Sequence, residues 1–246
     1  MKPLASGLQV DGLQVQALLL RLPQGFVYQV IDATLEREFE LTEFAPGDAL
    51  AIRSETHEIK PAPGAESAFA NARKQFLEVA RLKSQLDNKA LPQVLRVIEA
   101  NETVYSLGPA REGRTVAAHL ADGQRASKDS AQALLNTLAN GLQALHDTSR
   151  VHGCLGTDAV WLAADGQPFL KSLGIAEGPL AQPVRPDNPA TAPEGLDAEP
   201  DFTPRTDCYG LAAILLEWIN GAAPPTARRR LDALAAGEAD PLDLVA

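Results

Sequence analysis

Cysteine is almost absent: the 246 residues hold two, Cys154 and Cys208, far apart and without a CxxC spacing. That excludes a disulfide framework and fits a reducing compartment, so a cytoplasmic setting is expected. Long hydrophobic runs are missing as well. The most apolar stretch, Leu211 to Ile219, is broken by Glu217 and falls short of the ~20 residues that cross a bilayer. The opening MKPLASGLQVDG has no signal-peptide apolar region, so no membrane insertion is expected of this stretch. Positive charge is scarce. Twenty-two Lys and Arg stand against 32 Asp and Glu, a net charge of −10 that repels nucleic-acid backbones and anionic lipid, so no nucleic-acid partner is expected. The four histidines, His57, His119, His146 and His152, lack a metal-ligand spacing, and neither metal nor cofactor is expected. One basic run stands out, Arg228, Arg229 and Arg230, either a solvated face or a docking patch for an acidic partner. What is present suits a folded domain: 45% hydrophobic and 22% charged residues support a core without staples.

Gln14 to Arg53 alternates β-friendly runs (VQALLL, GFVYQVID, REFELTEF) with turn signals at Leu22-Pro23-Gln24-Gly25 and Ala45-Pro46-Gly47-Asp48, which predicts antiparallel strands. Thr56 to Ser67 has no periodicity and is expected as an exposed connection. Phe76, Val79, Ala80, Lys83 and Leu86 recur at helical steps within Ala70 to Leu86, and Val94 to Ile98 and Thr103 to Leu107 read as two further strands. After Glu112 the pattern turns helical. Ala131, Leu134, Leu135, Leu138, Leu142 and Leu145 form one stripe from Ser130 to His146. Asp165-Gly166 sits between two apolar arms as a hairpin signal, Glu177 to Pro204 reads as a long loop, and a last apolar helix runs from Asp207 to Ile219 before Asn220-Gly221.

Several stretches, in this order, resemble the protein-kinase fold, most closely a group of bacterial Ser/Thr kinases. ELTEFAPGDALAIR (Glu40 to Arg53) is similar to their third strand, where valine-alanine-isoleucine-lysine is followed by glutamate, tyrosine, one residue and proline. Phe76 to Leu107 is similar, without gaps, to the regulatory αC helix and the two strands after it. VHGCLGTDAVWL (Val151 to Leu162) resembles the catalytic loop, FLKSLG (Phe169 to Gly174) the metal-binding Asp-Phe-Gly segment, and Ala192-Pro193-Glu194 the end of the activation segment. Thr206 to Pro225 resembles the buried αF helix. The resemblance implies an α+β, two-lobed fold: an N-lobe over 1–108 with a small antiparallel sheet and αC, and a mainly helical C-lobe over 109–246, possibly truncated after αG.

The resemblance also shows what has been replaced. Phosphoryl transfer uses a glycine-rich cover, a lysine paired with a helix glutamate, a base and metal-binding carboxylates. Here the cover keeps only Gly25, the lysine position is Thr42, its helix partner Val79, the base Cys154, the catalytic-loop lysine Gly156, the asparagine Ala159 and the metal-binding aspartate Ser172. Glu78 lies one residue from the partner position, about 100° around the helix. Thiol and hydroxyl groups are poor Mg²⁺ ligands. In the adenine pocket the small strand residue becomes Glu40 and the apolar floor Trp161, with Gly108 as gatekeeper and Pro109-Ala110 as hinge. Glu40 reads as an exposed strand residue instead if the register slips by one, and Trp161 as ordinary core packing. Cys154 is weighed as a buried structural thiol or, beside His152, a catalytic one.

The architectural positions persist: His152 as a core link, Leu173 as an apolar plug, Asp207 as the αF anchor of the catalytic-loop backbone, and Glu194, whose usual arginine partner lies after αG. Lys83 interrupts the hydrophobic column, which suggests a displaced αC or a snorkelling lysine. The expectation is a pseudokinase, no enzyme, that binds no ATP and serves bacterial signalling as a scaffold for unidentified protein partners. The alternatives are a nucleotide sensor and a weak, unconventional Ser/Thr kinase. By resemblance such domains are often the cytoplasmic part of longer, membrane-anchored proteins.

Overall fold

A computed structural model describes residues 1–180 and 183–244; Ala181 and Gln182, within the long loop expected over Glu177 to Pro204, lie outside the described residues. The chain divides into two compact units, one of Met1–Asp87 with Gln93–Arg111 and one of Asn88–Pro92 with Glu112–Ala246.

The first unit is a six-stranded antiparallel sheet with one helix. β1 (Gln9–Val10), β2 (Leu13–Leu22), β3 (Gly25–Asp32), β4 (Arg37–Phe44), β7 (Arg96–Ala100) and β8 (Thr103–Pro109) lie in the order β1-β2-β3-β4-β8-β7. The β3–β4 register runs from Gly25↔Phe44 to Asp32↔Arg37, closed by an Asp32 side chain that accepts from the Thr34 and Leu35 amides. Alternation then decides burial. Phe39, Leu41 and Glu43 are buried on one face of β4, whereas Phe44 turns to the other and packs on Phe69 and Phe76 of α1 (Glu66–Gln85), at ring separations of 5.4 and 5.6 Å.

One expectation fails here. The connection expected around Thr56 to Ser67 contains β6 (Ile59–Pro61), which pairs with β5 (Ala51–Arg53). Ile59 is fully buried and its amide donates to the Asn101 carbonyl, so a tertiary contact orders a stretch that has no periodicity of its own.

The second unit contains β9 (Arg114–Thr115), α2 (Val116–Ala121), α3 (Lys128–His146), β10 (Val160–Leu162), β11 (Pro168–Leu170), α4 (Pro204–Asn220) and α5 (Ala227–Ala235). Ser127 caps α3 through the Ser130 amide, and Ala131, Leu134, Leu138, Leu142 and Leu145 form its buried stripe. Leu135, expected in that stripe, lies at its edge and is 37% exposed. β10 and β11 form the expected hairpin, with Gly166 at φ +81° in the turn. A reciprocal Thr203–Thr206 box opens α4, and Gly221 ends it in the left-handed region. No helix among the described residues is long and apolar enough to cross a membrane.

Candidate nucleotide and catalytic-loop positions

In the first unit the positions that the resemblance gives to nucleotide contacts sit on the half-buried side of β4. Thr42 pairs with Val27 and Ser106 across the sheet, and Glu40 with Gln29 and Gly108. Glu40 has company: its carboxylate acts on the half-buried guanidinium of Arg111, whose pKa burial lowers and Glu40 partly restores. Gly108 has no room for a side chain, because a Cβ there would stand 2.7 Å from the Gln93 carbonyl oxygen. The phosphate-cover stretch is a tight turn at Pro23-Gln24. Its strands pair as far as Leu22↔Gly25, the Gln24 carbonyl accepts from the Ala45 amide at 2.9 Å, and a Cβ on Gly25 would collide with the Glu43 carbonyl. The turn is thus fastened to the end of β4. On α1, Val79 and Lys83 are half-buried, while Glu78 is exposed and 3.8 Å from Lys74.

Next to Thr42 the sequence reading missed a polar centre. Glu43, 0% exposed, receives Arg53 through two bonds (Nη1–Oε1 2.9 Å, Nη2–Oε2 2.7 Å), the Tyr28 hydroxyl at 2.8 Å and the Tyr105 hydroxyl at 3.0 Å. The Tyr28 oxygen accepts in turn from the Leu4 amide and that of Tyr105 from Asn101. Burial, reinforced by the Glu43 charge, pushes both tyrosine pKa values upward. Burial works against the charge on Arg53, but its bonds to Glu43 hold its pKa above the ordinary value. Glu43 and Arg53 both stand in the stretch that resembles the third strand and its sequel, and that position in the motif was the available signal.

In the second unit the catalytic-loop backbone hangs on Asp207. Its Oδ2 accepts from the His152 amide at 2.9 Å and pairs with His146 Nε2 at 2.8 Å; its Oδ1 accepts from the Gly153 amide at 2.7 Å. His146, one of the four histidines that lack a metal-ligand spacing, completes this centre. His152 is buried, with a pKa lowered by desolvation against the opposing pull of Asp207, Glu177 and the Ser172 main chain. Its carbonyl accepts from the Ile175 amide at 2.8 Å. Burial pushes the Cys154 thiol up to about 11, and its sulfur lies 3.9 Å from His152 Nδ1, a protonated, structural thiol rather than a nucleophile.

The Ser-Leu-Gly stretch is held from within the unit. Leu173 is fully buried, its amide donates to Glu177 Oε1 at 2.8 Å, and Ser172 Oγ accepts from the Gly174 amide at 3.0 Å. Gly156 is buried and Ala159 half-buried. Trp161 pairs with Phe169 across the hairpin, its ring 6.4 Å away, and the Lys171 ammonium stands 4.3 Å from the indole centroid. Glu194 accepts from the Thr206 hydroxyl at the start of α4. Of the basic run on α5, Arg230 is bonded to Asp240 at 2.7 Å, whereas Arg228 and Arg229 are exposed alongside Leu231 and Leu234. Among the described residues no group of three His, Cys, Asp or Glu could hold a metal ion.

No family model matches the chain. It is 26% identical over 144 residues to sperm motility kinase 2B of Mus musculus and 26% identical over 157 residues to sperm motility kinase 2A of the same species. These matches take in 56% and 61% of this chain but 29% and 31% of those proteins, so the chain spans under a third of the curated relatives it matches. Among solved structures, the apo form of PpkA-294 matches with a TM-score of 0.74 at 23% identity, over 98% of this chain and 90% of that one. The chain has a protein kinase-like fold of the α+β class. The same findings correct the expectation that the chain is no enzyme. The curated proteins it resembles are named kinases, and replaced motif residues are not a measurement of inactivity.

Proposed function

We propose that this protein kinase-like domain serves cytoplasmic signalling by holding a protein partner and binds no ATP. The observation that carries the reading is Glu40. At the position where the resemblance puts a small residue against adenine, a half-buried carboxylate acts on the half-buried Arg111. A purine seated there would have to desolvate or part these two charged groups, which is costly in a low-dielectric setting. The phosphate-cover turn adds support, since it keeps a single glycine, Gly25, which packs so closely on β4 that a Cβ there would meet the Glu43 carbonyl. Trp161 adds a second argument by resemblance, being an indole in the sequence position where the resemblance implies an apolar floor residue. The partner surface best supported is the outer side of α5, where Arg228 and Arg229 adjoin exposed Leu231 and Leu234 in a chain of net charge −10; it suits an acidic, partly apolar segment.

A second reading, phosphoryl transfer by an unconventional set of groups, is favoured by the names of the curated relatives. Isothermal titration of the chain with ATP, alone and with Mg²⁺ or Mn²⁺, separates the two. The first reading expects no saturable heat into the high micromolar range. Saturable binding overturns it and makes a phosphotransfer assay the next measurement.

A further inference from the structure

The six-stranded sheet of the first unit has two edges, and they are guarded differently. At one edge β7 carries Arg96 and Glu99, which pair with Asp11 at 3.2 Å and with Arg73 of α1 at 2.8 Å. Charges of this kind on an edge strand discourage another strand from adding to it. At the other edge β1 covers only the start of β2, through Gln9↔Gln14 and Val10↔Leu13, with the Gly7 amide and the Leu8 carbonyl reaching Val15. Over residues 16–22 no strand among the described residues pairs with the outer side of β2. This stretch, QALLLRL, has no acidic residue, no lysine and no proline, in a chain with 32 Asp and Glu. Its one charge, Arg21, stands 5.4 Å from the Phe26 ring centroid. Leu19 and Leu20 are 42% and 40% exposed.

We infer that residues 16–22 are an assembly edge at which a second copy of this chain adds its own β2, antiparallel about a two-fold axis at Leu19, so that the sheet runs on from one copy into the other. A strand added to an edge gains main-chain hydrogen bonds along its length and side-chain contacts at alternate positions. The two-fold register sets Gln16 opposite Leu22, Ala17 opposite Arg21 and Leu18 opposite Leu20. Leucine then meets leucine, and the two Arg21 charges stay apart at opposite ends of the pairing. The edge accepts an apolar strand without acidic residues, and β2 is itself such a strand. Two features keep the contact weak. Gln16 and Leu19 fall at breaks in the β2–β3 register, which bend the edge, and a net charge of −10 on each copy opposes approach. The pairing is also short, roughly 23 Å at ~3.3 Å per residue. It buries less than the ~1,000 Å² of a stable interface, so it depends on concentration. The inference concerns self-association of the first unit and stands apart from the partner reading above.

Sedimentation equilibrium of the chain tests it. A monomer at about 10 μM should give way to a dimer with a dissociation constant on the order of 100 μM. The dimer should not weaken in 1 M NaCl, because the contact is apolar and salt screens only the repulsion. Leu19→Lys/Leu20→Lys, at two positions already exposed, should weaken dimerisation by at least about tenfold with an unchanged urea midpoint. Leu231→Lys/Leu234→Lys on α5 should leave it unchanged. In the wild type, amide exchange within residues 16–22 should slow as concentration rises, with β7 unaffected. A chain that stays monomeric to about 500 μM overturns the inference. So does a dimer that survives Leu19→Lys/Leu20→Lys, that is lost in Leu231→Lys/Leu234→Lys or in salt, or whose formation protects β7 rather than β2.

Discussion

Glu43 and Asp207 are both shut away from solvent, at 0% and 1% exposure, and the two units satisfy their oxygens by different means. In the sheet unit Glu43 is matched by side chains: a two-pronged guanidinium and two tyrosine hydroxyls. In the helical unit Asp207 is matched mainly by the main chain, through the amides of His152 and Gly153, with His146 completing it. A buried charge tolerates either solution, provided each lone pair finds a donor. The consequences differ. The Glu43 centre ties distant strands together through long side chains, while the Asp207 centre fixes the local path of the catalytic-loop backbone from α4.

The largest effect should come from breaking the side-chain centre. Glu43→Ala leaves the Arg53 guanidinium, 8% exposed, without its counter-charge, and should cost about 3–5 kcal/mol in urea unfolding. Asp207→Asn should cost less, about 2–3 kcal/mol, because the amide keeps one acceptor and strands one of the two loop amides. If the two substitutions cost the same, the distinction between ion-paired and amide-paired carboxylates has no energetic content here. The smallest effects are those of pH, and they run in opposite directions. His152 has a folded-state pKa below the ordinary histidine value, so the unfolded chain binds a proton first as pH falls through about 6.5. Stability from this group is complete above that pH and declines below it, by up to ~1.4 kcal/mol per unit. Asp207, Glu177 and the Ser172 main chain face the ring and moderate the loss. Tyr28 and Tyr105 have raised pKa values, so their contribution is complete below the unfolded value of about 10 and declines as pH rises past it. His152→Gln should flatten the acid limb, and Tyr28→Phe the alkaline one, in denaturation series across pH.

The sheet, α1, α3, the β10–β11 hairpin and α4 were legible in the sequence because each carries its own periodicity or turn chemistry, as Leu134, Leu138 and Leu145 do on α3. β5 and β6 were not, since Ile59 is placed by a tertiary contact. Asp207 and His152 could be read from the order of motifs. Glu43 and Arg53 share one motif stretch, but the centre they form could not be read, because Tyr28 and Tyr105 come from two other strands and no local pattern joins them to it. The same holds for Arg111 opposite Glu40. Substitutions at the chemical positions were visible one by one. What fills the space around them was visible only once the chain was folded.

The most direct test of this account is amide exchange resolved by unit, taken at pH 5 and again at pH 10.5 after correction for intrinsic rates. The account predicts that acid first loosens the amides of His152 and Gly153 and the start of α4, and that alkali first loosens β3 and β8 around Tyr28 and Tyr105. Acid opening the sheet unit first, or alkali opening the catalytic loop first, would contradict it.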